Sequence, residues 1–242
     1  MNFVADIGNN SAKFFLFKDE QMLLHTRKSD GNFDILEEWA KEFTVKRIII
    51  SSVIEMNEEQ INMFKVFGCP IVWFNNSTPC PLKIKYGTPG TLGPDRIAAA
   101  VGAWSKSPGR NILVIDAGSA ITYDIVDNKG NFLGGNIAPG IKMRLRSLHE
   151  FTDRLPMVVK DGDVPFIGYD TETAIRSGVI TGICHEIEGY IRAAREKFGE
   201  VFVFLTGGDG ISLKNNIKSS IFADKFLVAK GLNRILLKYD NI

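Results

Sequence analysis

The apolar residues of this chain fall into short unbroken runs, each ending at a small polar turn, between segments where they recur at helical spacing. The runs predict strands at 2–7, 12–18 and 21–27, joined as a meander. A helix is expected at about 33–43, where Ile35, Leu36, Trp39 and Phe43 share a face and Asp34 stands near the positive end of the helix dipole. A buried strand at 47–53, a helix at 57–67 with Asn57 as N-cap, a strand at 70–74 and a helix at 93–105 complete a first half of order βββαβαβα. From residue 111 the order repeats. Strands are predicted at 111–116, 120–127 and 131–137, with Asp127-Asn128-Lys129-Gly130 as a turn. Helical segments follow at 140–150 and 170–198, then a strand at 201–206, a helix at 209–218, a short strand at 225–228 and a closing helix at 231–239.

Each half begins with the same local phrase. In the first, a strand runs into Asp6, then Ile7, Gly8, Asn9, Asn10 and Ser11; in the second, into Asp116, then Ala117, Gly118 and Ser119. The two copies lie roughly 110 residues apart, as a duplicated domain would place them. A carboxylate at the end of a buried strand, followed by a glycine and a hydroxyl, suits a phosphate and its metal. The glycine lets the backbone approach an anion, the hydroxyl and N–H groups donate to phosphate oxygens, and the carboxylate can hold Mg²⁺ through water. Either copy alone also reads as a hairpin turn capped by Asp and Gly; finding both at equivalent places favours the functional reading. The doubled βββαβαβα pattern is the α/β arrangement of the actin, Hsp70 and sugar-kinase superfamily, a pair of RNase H-like domains with a nucleotide cleft between them. It predicts domains at 1–110 and 111–242.

Composition narrows the function. The 29 basic and 28 acidic residues leave a net charge of +1, so bulk electrostatics implies no nucleic-acid partner. Lys142, Arg144 and Arg146 read as a solvated helix face. No apolar run has membrane-spanning length and the first strand is no signal peptide, which points to a soluble cytoplasmic protein. Cys69, Cys80 and Cys184 are odd in number and unpaired in spacing, which argues for a reduced compartment and against a disulfide or zinc framework. The neighbours Cys184 and His185 point apart on a helix, and His25, His149 and His185 show no ligand spacing.

The segment 76–96 reads as a long irregular connection rich in proline and glycine, the kind of loop that often carries function. It ends in Gly93-Pro94-Asp95-Arg96, with Pro94 suited to the first helical turn. There the positive helix end is expected to favour an ionised Asp95, able to take a proton from an attacking hydroxyl. Arg96 can grip a carboxylate or phosphate with two hydrogen bonds. A helix cap and a surface ion pair would be the plain alternative.

With these residues in view, the chain resembles the type III pantothenate kinase family over nearly its whole length. The resemblance rests on Asp6-Ile7-Gly8-Asn9; on Tyr86 through Gly93-Pro94-Asp95-Arg96; on Asp116 to Thr122 with the downstream Gly134-Gly135 and Pro139-Gly140; on Thr171 to Gly178; and on Thr206-Gly207-Gly208-Asp209. It implies transfer of the ATP γ-phosphate to the 4′-hydroxyl of pantothenate, the first step of coenzyme A synthesis, in line and without a covalent enzyme intermediate. On that basis Asp95 is the general base, and Tyr86, Gly93, Arg96 and Thr171 bind pantothenate. Asp6, Gly8, Asn9, Asn10 and Ser11 serve the phosphates from one half. Asp116, Gly118, Ser119 and Thr122 serve them from the other, with Gly207, Gly208 and Asp209 near the adenosine. Lys13, read from its position alone, either reaches a phosphate or is a surface lysine on the hairpin. Asp6 and Asp116 are the expected ligands of Mg²⁺ or Mn²⁺. The family also uses K⁺ or NH₄⁺, with Asp124 as candidate ligand, and forms homodimers in which the Thr171 equivalent closes the partner's pantothenate pocket. The chain departs from the family pattern at three positions: Asn10 where threonine is common, Ser119 for threonine and Asp170 for asparagine. Asp170 adds a charge near the dimer-contributed lid.

Two other readings compete. A sugar, acetate or polyphosphate kinase of the same superfamily would share the two Asp-x-Gly turns but not the Tyr86 to Arg96 loop. A non-catalytic regulator is the other, since relatives of the family have been described as accessory factors for transcription.

Overall fold

The structure is a computed structural model and describes residues 1–9, 11–29 and 31–238. Its strands are β1 (Asn2–Ile7), β2 (Ala12–Lys18), β3 (Gln21–Lys28), β4 (Arg47–Ser52), β5 (Ile71–Phe74), β6 (Lys83–Ile84), β7 (Asn111–Ala117), β8 (Ala120–Val126), β9 (Asn131–Pro139), β10 (Val201–Thr206) and β11 (Phe222–Ala223). Its helices are α1 (Ile35–Glu42), α2 (Glu58–Met63), α3 (Pro94–Lys106), α4 (Ile141–Glu150), α5 (Thr171–Phe198), α6 (Gly210–Lys214) and α7 (Leu227–Lys238). They cluster into two compact units. One holds Met1–Pro108, Gly130–Leu133 and the described residues from Phe226 onward; the other holds Gly109–Lys129 and Gly134–Lys225. The units therefore exchange segments, where the sequence suggested a single cut near residue 110.

The first unit has a five-stranded sheet in the order β3-β2-β1-β4-β5. Its central strand, β1, is antiparallel to β2 and parallel to β4. Alternation along the strands divides the faces. Phe3, Ala5 and Ile7 join Ile48 and Ile50 in a core closed by Leu36, Trp39 and Phe64. The opposite face carries Asn2, Val4 and Asp6 of β1 with Arg47, Ile49 and Ser51 of β4, and α3 and α7 pack on that side. Asn2 there donates to the Asn233 side chain of α7 at 3.0 Å, and Arg47 donates to the carbonyl of Leu236. Asn57 caps α2 as expected, in a reciprocal capping box with Gln60.

The second unit repeats the plan with β9-β8-β7-β10-β11. The two-residue β6 extends this sheet at its outer edge, pairing with Asn131 and Phe132. Here β7 is antiparallel to β8 and parallel to β10. The core lies between this sheet and α4 and α5, and includes Ile115, Tyr123, Leu145, Ile183 and Ile187. The repeat supports the duplicated RNase H-like plan.

Near the C-terminus the structure corrects the sequence reading. No strand forms at 225–228. The short strand is β11, and Leu227 and Val228 open α7 instead, since Leu227, Leu232, Ile235 and Leu236 are buried on one helical stripe. The expected helix at 209–218 contracts to α6, and Tyr239 lies outside the described residues. The loop at 76–96 contains β6 and a 3₁₀ turn, Pro89–Thr91.

Two glycines let α3 and α7 touch backbone to backbone. A Cβ on Gly102 would run into the carbonyl of Leu227, and one on Gly231 into the carbonyl of Ala98. Gly231→Ala is therefore expected to destabilise the protein by on the order of 1–3 kcal/mol, as overpacking against rigid backbone does, read as a lowered denaturation midpoint.

Candidate active site

The first turn hangs from the end of the central strand β1. Asp6 is the second-last residue of that strand, in register with Lys13 on β2 and Ser51 on β4. The residue is 9% exposed, and its carboxylate takes an ion pair from Lys13 Nζ at 2.9 Å. The turn closes with the Gly8 N–H donating to the carbonyl of Ser11, while the Ser11 hydroxyl accepts from Arg27 Nε at 3.0 Å. Asn9 is exposed, and Asn10 lies outside the described residues. A Cβ on Gly8 would meet only the Ser11 carbonyl oxygen, at an ordinary 3.5 Å, so packing inside the fold does not demand glycine there.

The loop before α3 delivers Asp95 and Arg96 in the first helical turn, with Pro94 at N1. The Asp95 carboxylate folds back over the loop. Its Oδ1 accepts from the backbone N–H of Arg96 at 2.9 Å and would lie 2.5 Å from a Cβ on Gly93. Gly93 thus makes room for Asp95 itself. The helix end was expected to favour the ionised form of Asp95, but burial works against it. Its pKa is raised, first by burial and further by the negative charge of Asp6; the Arg96 amide and guanidinium oppose these without winning.

Arg96 is 6% exposed, with its guanidinium carbon 5.6 Å from the Tyr86 ring and 6.0 Å from the Phe132 ring. Tyr86 and Phe132 meet edge to face, so Arg96 is oriented by an aromatic corner. Phe132 escaped the sequence reading; only the β6 pairing brings residue 132 to the loop.

The second unit builds its turn in the same way. Asp116, second-last on β7, stands in register with Thr122 and Thr206. Gly118 closes the turn to Ala120, and Ser119 is exposed. Gly140 at the start of α4 is pressed against the Gly118 and Ser119 carbonyls, which accounts for a glycine at that point of the motif and points the positive end of α4 at the turn. Gly207, at φ +91°, packs against Ala117 and would put a Cβ 2.5 Å from Asp116 Oδ1; Gly208 has open space. Asp209 donates its N–H to the Ala117 carbonyl, and its carboxylate is held by Lys160 at 2.5 Å. Lys160 was not foreseen; it arrives from an irregular stretch 49 residues earlier.

Asp124 is 1% exposed, with Gly135 packed against its carboxylate. Arg144 is not part of a solvated basic face as expected. It bridges the Pro139 carbonyl at 2.7 Å and Glu186 at 2.8 Å, and Glu186 also accepts from Tyr123. This chain ties α4 and α5 to the hairpin of Thr122 and Asp124. Thr171 is exposed at the start of α5 and lines a groove of about 630 Å³ with Arg144, Leu148, Leu155, Ala174 and Val179. The extra charge at Asp170 is absorbed locally. It caps α5 by accepting from the Thr173 N–H and hydroxyl, which hold its pKa below the usual range.

The family model of type III pantothenate kinases matches residues 2–193. The chain belongs to the type III pantothenate kinase family. A type III pantothenate kinase of Bacteroides fragilis is 49% identical over 241 residues, covering 100% of this chain and 99% of its own. One of Porphyromonas gingivalis is 39% identical, covering 97% of each. Among solved structures, a Campylobacter jejuni protein described as a Baf family transcriptional activator aligns over 99% of this chain and 100% of its own, with 26% identity and a TM-score of 0.65. A Listeria monocytogenes protein described as an N-acetylmannosamine kinase shares the fold, at 16% identity, a TM-score of 0.57 and 99% coverage of each chain.

For a type III pantothenate kinase the metal question is whether the donors suit hydrated Mg²⁺. Among the described residues no three His, Cys, Asp or Glu side chains converge on one point. Mg²⁺ needs no such cage, since it keeps its waters and takes one or two carboxylates plus phosphates. Asp6 fits. It is nearly buried, its charge presses on Asp95, and a cation beside it would relieve that repulsion. Among the described residues no helix is long and apolar enough to cross a membrane.

Asp95 should therefore titrate above the ordinary value of an aspartate, measured by NMR of its side-chain carboxyl carbon. Asp6→Asn removes the second of the raising causes, so it is expected to lower that pKa.

Proposed function

We propose that this protein transfers the γ-phosphate of ATP to the 4′-hydroxyl of pantothenate, opening coenzyme A synthesis. The observation that carries this reading is the Asp95–Arg96 pair at the head of α3, with Arg96 set between Tyr86 and Phe132, in a chain of this family. Arg96 takes the pantothenate carboxylate, and the hydroxyl is directed to Asp95. Asp95 accepts the hydroxyl proton as oxygen attacks phosphorus, and burial, which disfavours its charge, strengthens it as a base.

In the first unit Asp6 holds a water of Mg²⁺, and Lys13 reaches a phosphate while the Gly8–Ser11 turn donates to phosphate oxygens. In the second, Asp116, Gly118, Ser119 and Thr122 serve the phosphates, with Gly207, Gly208 and Asp209 toward the adenosine. Bound Mg²⁺ supplies neutralisation of phosphate charge; the rest is positioning, as a loose transition state requires. Asp124 is the K⁺ or NH₄⁺ ligand of this reading, and the cytoplasm is its compartment.

The protein acts as a homodimer. Around Thr171 the second unit exposes Phe151 (84%), Phe166 (89%), Ile167 (76%) and Tyr169 (70%), more large apolar surface than a solvated loop carries without a partner. The partner's Thr171 closes the pantothenate pocket.

The regulator reading has its support in the description of the Campylobacter protein. ADP release from ATP and Mg²⁺, with and without pantothenate and with K⁺ or Na⁺ alone, separates the two. Pantothenate- and K⁺-dependent release is expected; no release under any condition returns the weight to a regulator or another acceptor.

Asp95→Asn should lower kcat by roughly 10²- to 10⁴-fold while pantothenate still binds. Since the ionised base is the active form and its pKa is raised, wild-type activity should fall on acidification at a higher pH than an unperturbed aspartate would give. Thr171→Arg should raise KM for pantothenate by about tenfold or more, the factor that 1.4 kcal/mol of lost binding gives; unchanged kinetics would argue against a shared pocket.

A further inference from the structure

Ser51 has a hydroxyl with no work to do inside the fold. It is 1% exposed, and among the described residues its Oγ is buried without a hydrogen-bond partner. An unpaired buried hydroxyl is unfavourable, and an alanine or valine would fill the site without that penalty. The residues before it on β4, Ile48, Ile49 and Ile50, are apolar as a buried strand requires.

Its position supplies the missing partner. Ser51 is the registered neighbour of Asp6, on the sheet face that α3 and α7 cover. The strand order puts β1 between β2 and β4, so Asp6 has Lys13 on one flank and Ser51 on the other. In the observed arrangement Asp6 Oδ2 goes to Lys13 at 2.9 Å, and Ser51 is left unpaired. Lys13 is the more exposed of the two ionic partners, with 43% of its side chain accessible against 12% for Asp6, so it is the one able to swing away. The second unit repeats the pattern. Thr206, 2% exposed, is the registered parallel neighbour of Asp116, so both halves set a hydroxyl beside the strand-end carboxylate.

We propose that Ser51 is a positioning residue of the phosphate site: when Lys13 is drawn to a nucleotide phosphate, the Asp6 carboxylate turns from Lys13 to accept the Ser51 hydroxyl, which fixes it for the metal's hydration shell. This rests on the reading that ATP phosphates bind at the Asp6 turn. Asp6 is thus a two-position group, held by an ammonium in one position and by a hydroxyl in the other, and Ser51 acts only through it.

The test is calorimetric binding of Mg²⁺ with a non-hydrolysable ATP analogue to the full chain, with thermal unfolding recorded for each variant. Ser51→Ala is expected to weaken binding about tenfold, the effect of losing one hydrogen bond to a charged group, without lowering Tm. Ser51→Thr, which copies the second unit, is expected to bind within about twofold of wild type on the same scale. In an Asp6→Asn background Ser51→Ala should have no further effect. Wild-type affinity in Ser51→Ala would overturn the proposal, and so would an undiminished effect in the Asp6→Asn background. Failure of the pantothenate reading looks different: analogue binding would stay Ser51-dependent while pantothenate stimulated no ADP release.

Discussion

Burial of a carboxylate beside a second one shapes the head of α3: desolvation is the main cause that raises the Asp95 pKa, and the charge of Asp6 adds to it. Asp6 ends the central strand and Asp95 opens α3, and the charge of one opposes ionisation of the other in a setting where burial already does so. Such an arrangement is unfavourable in itself and is tolerated where chemistry needs it. Much of the local architecture serves it. Lys13 holds Asp6 from β2, the Arg96 amide holds Asp95, and Gly93 leaves the space into which that carboxylate folds. The close α3–α7 contact through Gly102 and Gly231 in turn fixes the helix that carries Asp95.

The second unit solves a related problem with different means. Its strand-end carboxylate, Asp116, is flanked by Thr122 and Thr206 where the first unit has Lys13 and Ser51. Its nearby cation, Lys160, is committed to Asp209. Duplication has kept the backbone plan and the carboxylate while the flanking side chains diverged, which is the expected way for one fold to give two halves of unlike chemistry. Gly140 and Gly207 are held by steric contact with the Asp116 turn, whereas Gly8, Gly118 and Gly208 meet no such constraint within the fold. That contrast separates glycines needed for packing from glycines that packing does not require.

Much of this was legible in the chain itself. Apart from the two-residue β6, the strands up to β10 and the helices up to α5 follow from apolar runs and helical spacing to within a few residues, because buried strands and amphipathic helices write their period directly into sequence. Asn57 announced its cap, and the two Asp-x-Gly turns announced themselves by repeating. The reading failed where an apolar pair was too short to distinguish strand from helix, at Leu227 and Val228, and where Arg144 was read from its basic neighbours on α4 alone.

The sequence by itself determined most of the secondary elements, the duplicated order, the family, and the identity of the carboxylates at the strand ends and the head of α3, since these depend on local period and on motifs contiguous in the chain. The tertiary structure alone decided the direction of the Asp95 pKa, the aromatic corner that Phe132 completes around Arg96, the capture of Asp209 by Lys160 and the unpaired hydroxyl of Ser51. Each of these depends on burial or on a neighbour tens of residues away, and a distance through space leaves no local mark in the order of residues.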